Sequence, residues 1–173
     1  MLNNRSTKHT LSSFVISLML CLSLQSSFAS DNPPKGKDYP ASNIYNGKPT
    51  EHLDKYDEFT NTFRTRFKEA IQGDVVFAGE FAQAEWGCGG SGCHVVAFIN
   101  KRTGRALNHS FMAYDAGDDI TPKTIGEDIV YMNKESNLIV TIETNESSED
   151  EYYNYYILDT QKNGLTLIKK IKK

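Results

Sequence analysis

The reactive side chains of this sequence crowd into one segment, Glu85-Trp86-Gly87-Cys88-Gly89-Gly90-Ser91-Gly92-Cys93-His94. Thiolate and imidazole are zinc ligands, and Cys88, Cys93, His94 and His109 supply the right types. Their spacing argues against a shared metal. His94 follows Cys93 directly, which makes one tetrahedron awkward on an extended chain. Cys93 beside a histidine could act as a nucleophile only as a free thiolate. Cys88 would consume that thiolate in an oxidising compartment. Gly87-x-Gly89-x-x-Gly92 matches the letters of a dinucleotide fingerprint, which requires a helix N-terminus next. The run that follows, His94-Val95-Val96-Ala97-Phe98-Ile99, reads as a strand instead. Ser91 lacks the Gly-x-Ser-x-Gly elbow, because position 93 is cysteine.

The remaining reading is a disulfide. Glycine permits positive φ at little steric cost, and a ring closed by Cys88 and Cys93 needs that freedom. The chain-entropy model gives such a short ring ~2 kcal/mol. Neither a catalytic set, a metal site nor a cofactor loop meets the geometric minimum for an enzyme. Trp86, Gly89, Gly90, Ser91 and His94 are therefore candidates for contact with a partner, not for bond-making. A second candidate surface is the run Tyr152-Tyr153-Asn154-Tyr155-Tyr156. Strand alternation sends Tyr153 and Tyr155 to one face, where they form either a cross-strand ladder or an aromatic binding patch. Acids cluster at Glu143–Glu151 and around Asp115–Asp128, and both groups read as solvated loops.

The elements around these residues follow from periodicity. Phe59, Phe63, Phe67 and Ile71 recur every four residues, with Tyr56 and Ala70 on the same stripe. This spacing predicts one amphipathic helix over 54–72, capped by Asp54 and stopped at Gly73. From Val75 the period becomes two. Strands are expected at 75–86, 94–100, 105–114, 128–133, 138–144, 152–159 and 165–171, with 115–127 as a long loop. Short turns between strands imply antiparallel pairing. The fold class is α+β: one N-terminal amphipathic helix packed on an antiparallel sheet of about six or seven strands. The last strand carries Lys169, Lys170, Lys172 and Lys173, a charged edge that resists aggregation.

The N-terminus has its own logic. Arg5 and Lys8 precede an uncharged apolar run, LSSFVISLMLCLSL, and small residues lead to Ala29. This is the order of a secretory signal peptide, and the run is shorter than the ~20 residues of a spanning helix. The organisation expected is a cleaved signal peptide over 1–29, a flexible Pro/Gly-rich leader over 30–50, and a single α+β domain over 51–173. Cys21 leaves with the signal, so the three cysteines of the 173-residue chain become a pair. The net charge of -3 becomes -5, since the signal carries two cations and no acid. An acidic chain excludes strong nucleic-acid binding.

The pattern Trp86-Gly87-Cys88-Gly89, then Cys93, the apolar residues 95–99 and the turn Thr103-Gly104, resembles a group of small exported proteins of Gram-negative bacteria. The resemblance spans residues 77–106 and, more loosely, the final two hairpins. The group has no established activity, so the likeness implies export and the disulfide. The closed loop is also similar to one that some periplasmic lysozyme inhibitors present to their target, with different loop residues.

These readings converge on a periplasmic or secreted, disulfide-stapled binding protein. Its partner is expected to be a protein, with no nucleic acid and no stable membrane span. The most concrete version is an inhibitor or immunity protein against a cell-envelope-directed enzyme. The alternative is a small secreted hydrolase or metal-dependent enzyme built on Glu85, His94, His109 and an acid of 115–128.

Overall fold

A computed structural model describes residues 32–90, 92–117 and 120–173. The expected signal peptide, Ser91 and the acids Asp118 and Asp119 lie outside the described residues. Two short helices, α1 (Glu58–Thr62) and α2 (Arg64–Ala70), precede seven strands. These are β1 (Phe81–Gly87), β2 (His94–Asn100), β3 (Ala106–Gly117), β4 (Pro122–Tyr131), β5 (Leu138–Thr144), β6 (Glu151–Asp159) and β7 (Gly164–Lys172). The strands form one sheet in chain order, and every neighbouring pair is antiparallel.

Alternation along the strands sorts the core onto two faces. Phe81, Val96, Phe98, Leu107, Phe111, Ile139 and Tyr156 point to one face and pack with Phe77. Ala82, Ala84, Ala97, Ile99 and Ala106 point to the other, under Leu53, Phe67 and Ile71. The alanines make a shallow floor on which the helix aromatics lie. Farther along that second face, Leu138, Val140 and Tyr155 form a smaller cluster with Tyr39 beside it. The sheet curls: Asn108 of β3 donates its N–H to Asn163 O in the β6–β7 turn at 2.8 Å. Asn163 returns a bond from Nδ2 to Ala106 O at 2.7 Å.

The single helix expected over 54–72 is instead two short ones that meet at Phe63, where φ is -108° and ψ is 30°. Thr60, Asn61, Thr62 and Thr65 are weak helix formers, and Phe63 turns its ring onto Trp86 at 4.8 Å between centroids. The N-cap is Asp57, not Asp54: its Oδ1 accepts from Thr60 N at 2.8 Å and Thr60 Oγ1 at 2.6 Å. Tyr56 leaves the apolar stripe and is 86% exposed. Its position precedes the first helical turn, so the four-residue period does not reach it.

The loop expected over 115–127 is mostly strand, because β3 runs on to Gly117 and β4 starts at Pro122. Gly126 is the reason composition misleads here. It sits inside β4 at φ +101°, and a Cβ there would collide with the Met112 carbonyl oxygen. The glycine marks a close backbone approach within a sheet and does not mark a loop. At the other end, β1 starts at Phe81 and not at 75, since Ala78 and Gly79 take φ of 48° and 77° in a tight turn.

Residues 32–50 lie along the body. Asn137 N donates to Tyr39 O at 2.7 Å, Ala41 N to Glu135 O at 2.9 Å, and Thr50 N to Lys101 O at 2.9 Å. The Pro/Gly-rich composition leaves this segment without a fully buried residue. Backbone hydrogen bonds to the β4–β5 and β2–β3 turns hold it nonetheless.

Candidate functional site

The β1–β2 turn is closed covalently. Cys88 and Cys93 form a disulfide with Cα atoms 5.2 Å apart. Gly87 and His94 are the last paired residues below it. Cys88 N donates to Cys93 O at 3.0 Å, and Cys93 N to Gly90 O at 3.1 Å. Gly89 and Gly90 are exposed, and a Cβ built on either meets no atom within 4 Å. Gly92 is different. It holds φ +62°, which disfavours a side chain, and lies against the Asp115 carboxylate of β3. One flank of the turn is therefore seated on its neighbour, and the tip stands clear.

His94 anchors the base of the turn. Its Nδ1–H donates to the Gly92 carbonyl at 3.1 Å, which fixes the ring, and Nε2 lies 3.6 Å from Asp128 Oδ1 of β4. The Gly92 carbonyl raises the imidazole above its ordinary value of 6.5. Asp128 and Glu85 add to this, and partial burial opposes it. Both sulfurs are bonded to each other, so neither is available to zinc or as a nucleophile. Among the described residues no group of three or more His, Cys, Asp or Glu is arranged to hold a metal.

The other sequence candidates fall elsewhere. Trp86 lies on the helix-covered face, stacked on Phe63 and edge-on to Phe67 at 6.2 Å, so its ring is a packing element below the turn. Tyr155 is 8% exposed among Leu138 and Val140, and Tyr153 is half-buried beside it with Tyr39 and Ile171. The tyrosine pair is thus packed in the smaller cluster, and β3, β4 and β5 separate its strand from β2 in the sheet. His109 does not join His94. It is half-buried against Phe111 and Tyr156, with centroids at 4.7 and 5.3 Å. Burial lowers its pKa, with the Glu127 charge in opposition.

A polar network on the inner face escapes sequence reasoning altogether. Glu127 Oε1 accepts from Thr141 Oγ1 at 2.5 Å, Asn154 Nδ2 at 2.9 Å and Tyr156 OH at 2.8 Å. Asn154 Nδ2 also donates to Glu143 Oε2 at 2.7 Å, and Lys170 Nζ donates to the same oxygen at 2.5 Å. These bonds from Asn154 and Lys170 hold Glu143 below the usual carboxylate range. Burial, then the bond to Glu127, pushes the Tyr156 phenol far above its usual value, so it stays a donor. Four strands, β4 to β7, are tied by this one set of bonds. The acids here read as solvated loop from composition, yet Glu127 and Glu143 are paired strand residues. The available signal was the spacing of two between Thr141 and Glu143 and between Asn154 and Tyr156.

The chain matches no family model, no curated protein and no solved structure.

Proposed function

We propose that this is an exported binding protein that docks a protein partner through its disulfide-closed β1–β2 turn. In its most specific form it is an inhibitor or immunity protein against a cell-envelope-directed enzyme. The observation that carries the reading is the turn itself: Gly89 and Gly90 project into open space from a ring closed by Cys88–Cys93. A loop ordered before docking loses little conformational entropy on binding. Gly92 and His94 hold its base against Asp115 and Asp128, which adds to that order. Trp86 contributes from beneath, through its stack on Phe63, and the contact surface reduces to Gly89, Gly90 and the rim of His94. The disulfide is compatible with export, because such bonds persist in oxidising compartments. No helix among the described residues is long and apolar enough to cross a membrane.

The hydrolase or metal-enzyme alternative needs His94 and His109 to act together. Their separate surroundings, Asp128 for one and Phe111 with Tyr156 for the other, give it no supporting contact. The test of the docking reading is capture of periplasmic or secreted hydrolases by the wild type and by Gly90→Arg. Gly90 has no neighbour within 4 Å and no positive φ, so the fold tolerates the substitution while the tip does not. Partners lost by Gly90→Arg support docking through the turn, and partners retained oppose it.

A further inference from the structure

We propose that Asn145 is an acceptor for N-linked glycosylation, with its side-chain amide nitrogen taking an oligosaccharide from a polyprenyl-diphosphate donor. Asn145-Glu146-Ser147 has the Asn-x-Ser acceptor pattern. The described residues contain the short pattern a second time, at Asn108-His109-Ser110, and the structure separates the two.

Asn145 opens the turn between β5 and β6, and Asn145, Glu146 and Ser147 are all exposed. Its Oδ1 accepts from Ser147 N at 2.9 Å and from Ser148 N at 3.0 Å. The carbonyl end of the amide is thereby folded onto the turn, and the nitrogen end faces away from those bonds. Among the described residues Nδ2 makes no hydrogen bond, and neither does the Ser147 hydroxyl. The turn itself is held by Asn145 N to Asp150 O at 3.0 Å and Glu149 N to Asn145 O at 2.9 Å. An Asx turn of this kind ties the asparagine carbonyl to the backbone two residues on. Asn108 has no such turn. It lies within β3, with its N–H given to Asn163 O. An extended backbone keeps the N–H two residues on away from the asparagine side chain.

The step balances without a redox partner. Asn145 Nδ2 bonds to the anomeric carbon of the donor sugar. The bond from that carbon to the diphosphate oxygen breaks, polyprenyl diphosphate leaves with the electron pair, and a base of the transferase takes the proton from Nδ2. The inference rests on the export reading, since donor and transferase act beyond the membrane. It also deepens that reading: β1, β3 and β5 run in the same direction, so the Asn145 turn stands at the same end of the sheet as the closed docking turn.

The test uses the full-length chain, purified folded with its disulfide intact. It is incubated with a bacterial single-subunit oligosaccharyltransferase and a polyprenyl-diphosphate oligosaccharide. Intact mass and peptide mapping are expected to show one added oligosaccharide, on Asn145. The gain is expected to vanish in Asn145→Gln and in Ser147→Ala, which keeps the backbone N–H and the turn, and to persist in Asn108→Gln. No gain, or a gain on Asn108, overturns the proposal. A second arm expresses the chain in cells that carry the pathway and reads the N-terminus of the product. A chain left unprocessed in cells but glycosylated in vitro contradicts export and upholds the acceptor. A processed chain that stays unmodified in vitro upholds export and overturns the acceptor.

Discussion

Glu127 shows what single residues contribute in this protein. One carboxylate oxygen gathers three neutral donors from β5 and β6. Removing it strands the Thr141 hydroxyl and the Tyr156 phenol, both shielded from water, and takes one of two bonds from the Asn154 amide, which keeps Glu143; each unpaired buried group costs about 1–3 kcal/mol. Glu127→Ala is therefore expected to lower unfolding stability by about 3 kcal/mol, read by urea denaturation, and Tyr156→Phe by about 1 kcal/mol. A Glu127→Ala protein as stable as the wild type would show that the network is idle. The two histidines give a pH signature of opposite signs. His94 has a raised pKa in the fold, so its contribution is complete below the ordinary histidine value and is lost as pH rises through the folded value. His109 has a lowered pKa, so its contribution is present above the ordinary value and is lost as pH falls toward the folded one. His94→Gln is expected to cost most in mildly acidic buffer and progressively less above neutrality. His109→Gln should trend the other way. Parallel trends across paired pH titrations of stability would contradict this assignment.

At the scale of elements, the β1–β2 hairpin and the helices that cover it form the part most open to testing. Reducing Cys88–Cys93, or replacing both by serine, is expected to cost ~2 kcal/mol and to speed hydrogen exchange at Cys88 N–H. Phe67 of α2 is fully buried against the sheet, and Phe67→Ala is expected to cost about 3–5 kcal/mol. The sequence read these elements unevenly. The bounds of β2 and β5 follow from short apolar runs flanked by turn residues, and both strands are buried almost continuously instead of alternately. The hairpin disulfide follows from cysteine parity and glycine content, and the shared face of Tyr153 and Tyr155 from the period of two. The helix break at Phe63 does not follow, because the apolar spacing runs through it unbroken while the backbone departs locally to meet Trp86. The β3–β4 hairpin is missed because Gly117, Pro122 and Gly126 carry the same letters as a loop. Only the Met112 carbonyl lying against Gly126 explains why a glycine belongs inside that strand. The Glu127 network is missed because its partners lie on other strands, and no local pattern announces a cross-strand set.

Across residues 32–173 the strands form one curled meander with core clusters on both faces. The strap over 32–50 carries Tyr39 to the Leu138, Val140 and Tyr155 cluster and bonds to the β4–β5 turn. Truncation before residue 51 is expected to lower stability and to expose that cluster to a hydrophobic dye. Unchanged stability and no dye binding would mean that the strap is dispensable. The terminal lysines bind inward as well, with Lys172 on Asp150 at 2.7 Å and Lys173 on Glu151 at 2.9 Å. The charged edge of β7 is thereby stitched to β6 and the turn before it. The closed tip stands open, since a Cβ on Gly89 or Gly90 would meet no atom of the described residues within 4 Å. The direct measurement is binding of a purified cell-envelope hydrolase, first captured by the wild type, to Gly90→Arg protein of verified unfolding midpoint. Loss of that binding at unchanged stability is the expected result. Binding equal to the wild type, with the fold intact, would contradict docking through the turn.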